Sequence, residues 1–293
     1  MPADLLNAGT VRLTHGAASA DILLFGATVL SAVVGADKRE LLFLSRASAL
    51  DGSAAVRGGI PVVFPLFGEL ADVPEGAVGR DDVKDAGRHG FARTQTWTLE
   101  RSDDSDSSAS VTLVLDTQKR DDVLKRYPFP CLLRYTVTLA ADSLSCKLAV
   151  QNTGSKTMHF HALLHNYLNV PVAGAQISGL NSSFRDKVSG REEAAASGSA
   201  PLTMDGAETD RVYADRDTVE ARSAAGRGVK LSRSADGFAQ TVLWNPGEKG
   251  AGMKDMHKEG ETEFVCVEPG YVAELKALAA GEEWVAEQTL SPL

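Results

Sequence analysis

The chain has 293 residues, 43% hydrophobic and 24% charged, with a formal net charge of −9 and a pI of about 5.2. That composition is globular and large enough to bury a sizeable core. The acidic balance argues against nucleic acid or an anionic membrane as partner, because both need a positive footprint; it still allows an anionic small molecule, which feels a few local cations more than the total charge.

The first residues, "MPADLLNAGTVRLTHG", have no basic segment followed by an apolar run, so no signal peptide is expected. The longest apolar stretch, "ILLFGATVLSAVVG", is interrupted by Gly26 and is too short to span a bilayer. Three cysteines, Cys131, Cys146 and Cys266, show neither CxxC pairing nor metal spacing. Buried free thiols in a reducing compartment are the plain reading, and the expected location is the cytoplasm.

The first segment to break ordinary patterning is "VRGGIPVVFPLFG" (56–68). Gly58 and Gly59 permit backbone angles closed to other residues, and Pro61 and Pro65 stiffen the rest of the segment. Arg57 stands at the mouth of this rigid piece. It is either a solvated arginine on a structural loop or an anion clamp, since a guanidinium matches phosphate oxygens in a bidentate way. The second segment, "GRHGFART" (87–94), gathers Arg88, His89 and Arg93 around one glycine and one aromatic ring. If it is extended, His89, Phe91 and Arg93 share a face. That suits an acceptor-rich ligand, although a run of charge is usually a solvated surface.

"RSDDSDSSAS" (101–110) is acidic and serine-rich, and is expected to be a solvated hairpin connection. Strand patterning then dominates: 110–117, 135–141, 144–152, 228–234, 241–246 and 263–270 are short alternating runs separated by turn residues. Such spacing indicates an antiparallel sandwich. Nothing alternates strand with long amphipathic helix, which speaks against a doubly wound fold. Propensity favours a helix over "VAELKALAAGEEW" (272–284), but the expectation is strand, turn around Gly281, and strand again.

"MHFHALLHNYLNV" (158–170) would put His159, His161 and His165 on one side of a strand. Histidines at such spacing can chelate zinc or iron, but the carboxylate or further histidine that a metal needs has no evident source. His165 is then either a satisfied core histidine or a proton donor facing a cleft. The stretch 189–208 is small, polar and poor in aromatics, and reads as a mobile excursion. Strand patterning resumes on both sides of each loop, so one domain is expected over 1–293. In "EFVCVEPG" (263–270), Glu268 continues the face of Phe264 and Cys266. A carboxylate on an apolar face is costly unless it is paired or used, and burial there raises its pKa toward that of a general base. Asp210, in "AETDRVY" (207–213), carries less weight alone.

"VRGGIPVVFPLFG", "HGFAR", "LLHNYL", "ETDRVY", "LWNP" and "CVEPG" occur here in an order that resembles the hexose-6-phosphate 1-epimerases of the galactose mutarotase (aldose 1-epimerase) superfamily. The resemblance runs from about residue 10 to the C-terminus. It implies an all-β fold, a large antiparallel β-sandwich of the galactose mutarotase type with few short helices, and a site in a cleft on one sheet. It implies interconversion of the α and β anomers of a hexose 6-phosphate, glucose 6-phosphate being the leading candidate, without metal or organic cofactor. Carried onto this chain, His165 matches the general acid and Glu268 the general base. His89 and Asp210 match residues that hold the sugar hydroxyls and ring oxygen, and Arg57 and Arg93 match the arginines that bind the phosphate. Arg88 departs from the pattern, which has glutamine there.

The expected partner is therefore a small-molecule sugar phosphate, with no nucleic acid and no membrane, bound by a monomer. An imidazolium at His165 is opposed by burial, and Asp210 is expected to restore it; the rate should be bell-shaped in pH. Three alternatives remain: a galactose mutarotase indifferent to phosphate, a non-catalytic carbohydrate-binding protein, and a glycoside hydrolase using Asp210 and Glu268.

Overall fold

The computed structural model describes residues 3–7, 9–194, 200–233 and 237–293. Alternation of apolar and polar residues is the dominant pattern, and it folds as such. In Cys131–Ala140 every second residue is buried, and Leu144–Asn152 behaves nearly the same way, as period-two geometry requires when one sheet face meets the core. Among the described residues the single α-helix is Asp121–Arg126.

Three sheets result. The strands between Ala3 and Glu40 form a five-stranded meander. A nine-stranded sheet is centred on Glu283–Pro292, Leu144–Asn152 and Cys131–Ala140. An eight-stranded sheet carries, side by side, Phe184–Asp186, Thr209–Tyr213, Gln240–Asn245, Val265–Leu278, Met158–Leu164 and Val62–Val63. The ladders of the two large sheets are antiparallel. Leu243, Val265 and Val267 of the eight-stranded sheet join Ala286 and Leu290 of the nine-stranded sheet in one buried cluster. The residues between them, Val242, Trp244, Cys266 and Glu268, therefore project from the opposite face.

Most strand expectations hold, with corrections at the loops. The stretch 101–110 is mainly strand: Thr98–Asp104 pairs with Ser108–Asp116, and only residues 105–107 connect them. Every residue of Thr98–Asp104 is exposed, so backbone pairing at a sheet edge, rather than burial, makes it a strand. In 189–208, Arg191–Glu193 and Leu202–Thr203 are short strands; residues 195–199 lie outside the described residues. The helix-prone 272–284 is indeed strand and turn. Val265–Leu278 runs unbroken, Gly281 takes a left-handed φ of 79°, and Glu283–Pro292 returns.

Two glycines let the site segments close up. A Cβ at Gly59 would lie 2.1 Å from the Val29 carbonyl oxygen, and one at Gly90 would lie 2.1 Å from that of Phe64. Both have left-handed φ, 64° and 68°, so no other residue fits without strain. The segment 56–68 thereby runs alongside 158–170: His165 N–H donates to the Pro61 carbonyl at 3.0 Å and Tyr167 N–H to that of Gly59 at 2.9 Å.

Candidate active site

A cleft of about 530 Å3 opens on the free face of the eight-stranded sheet, and Arg57, His89, Arg93, His165, Asp210 and Glu268 all line it. Adjacent strands bring them together. Asp210 lies opposite Trp244, and Trp244 opposite Cys266. Glu268 follows two residues later on the same face, beside Val242. His165 comes just after Met158–Leu164, the next strand in the sheet.

His165 Nδ1 and Glu268 Oε1 are 3.3 Å apart, and the two side chains are 10% and 1% exposed. They are off line for a hydrogen bond, and both His165 Nδ1 and Glu268 Oε2 lack any partner. Unsatisfied buried polar atoms are costly and rare in folded proteins, and they concentrate where chemistry needs them. The imidazole stacks on the Tyr167 ring at 4.7 Å, with 7° between planes, and meets the edges of Trp244 and His89 at 5.6 and 5.9 Å. Packing on three sides fixes its orientation.

Burial, then Arg57 and Arg93, holds His165 far below the usual imidazole range. Burial, then Asp210, pushes Glu268 far above the usual carboxyl range. The expectation that Asp210 keeps His165 charged is corrected here. Lys187 Nζ approaches Asp210 Oδ2 at 3.8 Å and Asp72 Oδ2 at 3.5 Å, so Asp210 belongs to a lysine-centred group, and the carboxylate beside His165 is Glu268. Burial still raises the Asp210 pKa, against the pull of Lys187.

The segment 87–94 is not extended. His89 has a φ of 57°, and Ala92–Thr94 is a 3-10 turn. Phe91 therefore leaves the cleft and packs edge-on against Phe64 at 5.8 Å, within the core, while His89 and Arg93 remain in it. Gly68 N–H donates to His89 Nδ1 at 3.3 Å, so the neutral ring carries its proton on Nε2.

Arg57 donates to the Tyr167 hydroxyl at 3.0 Å and pairs with Asp255 at 3.1 Å. Burial opposes its charge, but Tyr167 and Asp255 together raise its pKa. Arg93 differs. Its one hydrogen bond among the described residues is to the Arg88 carbonyl at 2.9 Å, and its Nε is buried without a partner. Burial brings it down to about 10, with Arg57 and Arg88 adding to the effect. A half-buried cation whose Nε has no partner and which lacks a carboxylate is readily completed by an anion.

The three histidines of 158–170 do not converge. The ladder is irregular between Phe160 and Ala162. His159 Nδ1 meets Asp82 at 2.7 Å, while His161 Nδ1 accepts from Phe67 N–H at 3.3 Å. The residues that do cluster are His165, Cys266 and Glu268, whose ligand-type atoms lie within 4.8 Å of one another.

The aldose 1-epimerase family profile matches residues 9–291. The chain belongs to the aldose 1-epimerase family. Proteins provisionally named glucose-6-phosphate 1-epimerase are similar to it. The one from Escherichia coli K12 is 28% identical over 90% of this chain and 83% of its own. The one from Cenchrus ciliaris is 27% identical over 93% and 80%. The crystal structure of a provisionally assigned mutarotase from Salmonella typhimurium superposes with a TM-score of 0.82 at 25% identity, covering 99% of this chain and 95% of that one. A galactose mutarotase related enzyme from Lactobacillus acidophilus superposes at 0.75 with 17% identity, covering 97% of each chain. This member of the aldose 1-epimerase family is thus an isomerase on a galactose mutarotase-type β-sandwich.

Several cleft residues were not singled out from the sequence: Tyr167 and Trp244 lie inside "LLHNYL" and "LWNP", and the others carry no clear signal. Lys187, Asp72, Tyr167, Trp244 and Met253 line the cleft, and Asp255 anchors Arg57 from outside it. Lys187 follows a short strand in a region with little apolar alternation, so nothing local marks it. Arg88 has a side chain 70% exposed and approaches Glu69 at 3.8 Å, so it sits on the rim rather than in the base of the cleft.

Proposed function

We propose that this aldose 1-epimerase interconverts the α and β anomers of a hexose 6-phosphate, with glucose 6-phosphate its first candidate. The anomer exchange is the family's reaction. The phosphate preference rests on one observation: Arg93, half-buried in the same cleft as Arg57, has its Nε buried without a partner and lacks a carboxylate partner among the described residues. The names of the relatives agree with it. The three free, buried cysteines suit a reducing cytoplasm, and among the described residues no helix is long and apolar enough to cross a membrane.

Among the protein's own groups, burial favours a neutral imidazole facing a protonated carboxyl. The same proton count, redistributed, is an imidazolium facing a carboxylate. A dianionic phosphate against Arg57 and Arg93 offsets the positive field that keeps His165 neutral, and so favours that second arrangement. Glu268 then takes the proton from the C1 hydroxyl while His165 gives one to the ring oxygen. The bond between C1 and the ring oxygen breaks, and the open aldehyde turns about C1–C2. The reverse transfers close the ring on the other carbonyl face and restore both groups. His89 Nε2–H and Asp210 hold hydroxyls at the sides.

Exchange spectroscopy by NMR on glucose 6-phosphate, galactose 6-phosphate and the unphosphorylated sugars tests this. His165→Gln and Glu268→Gln should each lower kcat by about 10²–10⁴. Arg93→Gln should raise KM for the phosphorylated sugar by about tenfold or more, the worth of a charged hydrogen bond, and leave free glucose unaffected. Equal losses on both sugars would remove the phosphate assignment.

A further inference from the structure

A second cavity, about 540 Å3, lies beyond the end of the cleft remote from Arg57, and shares Phe67, Asp72 and Lys187 with it as a common wall. Its size lies within the range of small-molecule sites. The rings of Phe184 and Tyr213, 4.8 Å apart, line it together with Val272 and Leu275. These rings are nearly buried and Arg211 covers the Phe184 face at 4.8 Å, so they give the cavity an apolar wall rather than an open stacking platform. Polar groups are set among them. His161 lines the cavity, its Nδ1 occupied by Phe67 N–H; burial brings its pKa down to about 4, so the neutral ring's remaining donor is Nε2–H. Gln240 and Arg185 also line it.

Of the three residues of that wall, Lys187 has the longest and most flexible side chain. Lys187 Nζ lies 4.8 Å from the Phe67 ring centroid and spans Asp72 and Asp210. Its four-carbon stem has the rotational freedom to swing aside. The orientation of the sugar comes from the function proposed above, on which this inference rests. With phosphate at Arg57 and Arg93, and C1 and the ring oxygen at Glu268 and His165, C2 lies across the ring from the carbon bearing the phosphate arm. The C2 and C3 hydroxyls then face Asp210 and Lys187, with the second cavity behind them.

We propose that this cavity is a second sugar-binding subsite, so that the substrates include 6-phosphorylated hexoses carrying another sugar ring at C2 or C3. The reducing C1 of such a disaccharide stays free, and the chemistry at His165 and Glu268 is unchanged.

The test uses 3-O-β-glucosyl-glucose 6-phosphate, phosphorylated on its reducing unit, beside glucose 6-phosphate in the NMR exchange experiment. Ala214 and Ala273 are exposed and line the second cavity but not the cleft, so Ala214→Trp and Ala273→Trp fill it without disturbing the fold. Wild-type protein should exchange both sugars. The tryptophan variants should lower kcat/KM for the disaccharide by about tenfold or more, equivalent to about 1.4 kcal/mol, and leave glucose 6-phosphate unchanged. Exchange of glucose 6-phosphate with none of the disaccharide would overturn the subsite alone, as would disaccharide exchange indifferent to both tryptophans. Wild-type protein that exchanges neither sugar sinks the underlying function and the subsite with it.

Discussion

His165 and Glu268 are expensive residues. Each is buried, held toward its neutral form by that burial, and left with an unpartnered atom, a cost that sites tolerate when chemistry requires it. The cost depends on pH in opposite senses. Glu268 keeps its proton in the folded state, whereas the unfolded chain releases it above the ordinary value of 4.5; folding therefore loses stability as pH rises beyond that value. His165 stays neutral when folded, whereas the unfolded chain takes up a proton below the ordinary 6.5; here stability is lost as pH falls. Glu268→Gln should accordingly raise Tm, and the gain should grow from pH 5 to pH 8. For His165→Gln the gain should grow from pH 7 down to pH 5. Differential scanning calorimetry across this range checks both, and a pH-independent difference in either variant would contradict the assigned burial.

At the scale of elements, the amide pair Asn166–Gln288 joins the two large sheets. Asn166 Nδ2 donates to Gln288 Oε1, and Gln288 Nε2 donates back to Asn166 Oδ1, each at 2.7 Å; Asn166 also donates to the Val267 carbonyl at 2.9 Å. Asn166 immediately follows His165, and Val267 immediately precedes Glu268, so this buried pair registers the two reacting strands against each other. Gln288→Leu strands half of the pair and should cost about 1–3 kcal/mol in urea unfolding. Adding Asn166→Leu should recover part of that stability while kcat stays low, because the register restraint is gone. If the double variant kept full activity, the pair would be a stability feature only. The strands themselves were legible wherever one face was buried, as in Leu144–Asn152. Thr98–Asp104 was not, because a fully exposed strand has no apolar alternation to read. His89 and Arg93 were identified as candidates, yet the turn that separates them from Phe91 depends on Gly90 pressed against Phe64, a contact with no local signature.

Across the whole molecule, a net charge of −9 coexists with a cleft whose one end is cationic. Binding a dianion there completes Arg93 and should stabilise the folded protein. At a ligand concentration 100 times Kd the gain is about 2.7 kcal/mol, readable as a rise in Tm with glucose 6-phosphate. Arg93→Gln should abolish most of that rise, and raising ionic strength should diminish it for the wild type. A Tm rise of the same size with free glucose would argue against a phosphate grip.

The class of fold and the candidacy of Arg57 and Glu268 were already written in the chain, because period-two burial and rigid glycine–proline segments are local properties; the roles of His89, Arg93, His165 and Asp210 came from the resemblance to the hexose-6-phosphate 1-epimerases. Glu268 falls on the face of Phe264 and Cys266 by the same rule, since alternation along one strand needs no partner. Which charges meet is a different matter, settled by the folded arrangement. Asp210 faces Lys187 and not His165, and Glu268 takes the place beside the imidazole. Those pairings come from the order and register of strands distant in sequence, and a carboxylate's position along its own strand carries no record of the cation that the neighbouring strand will bring to it.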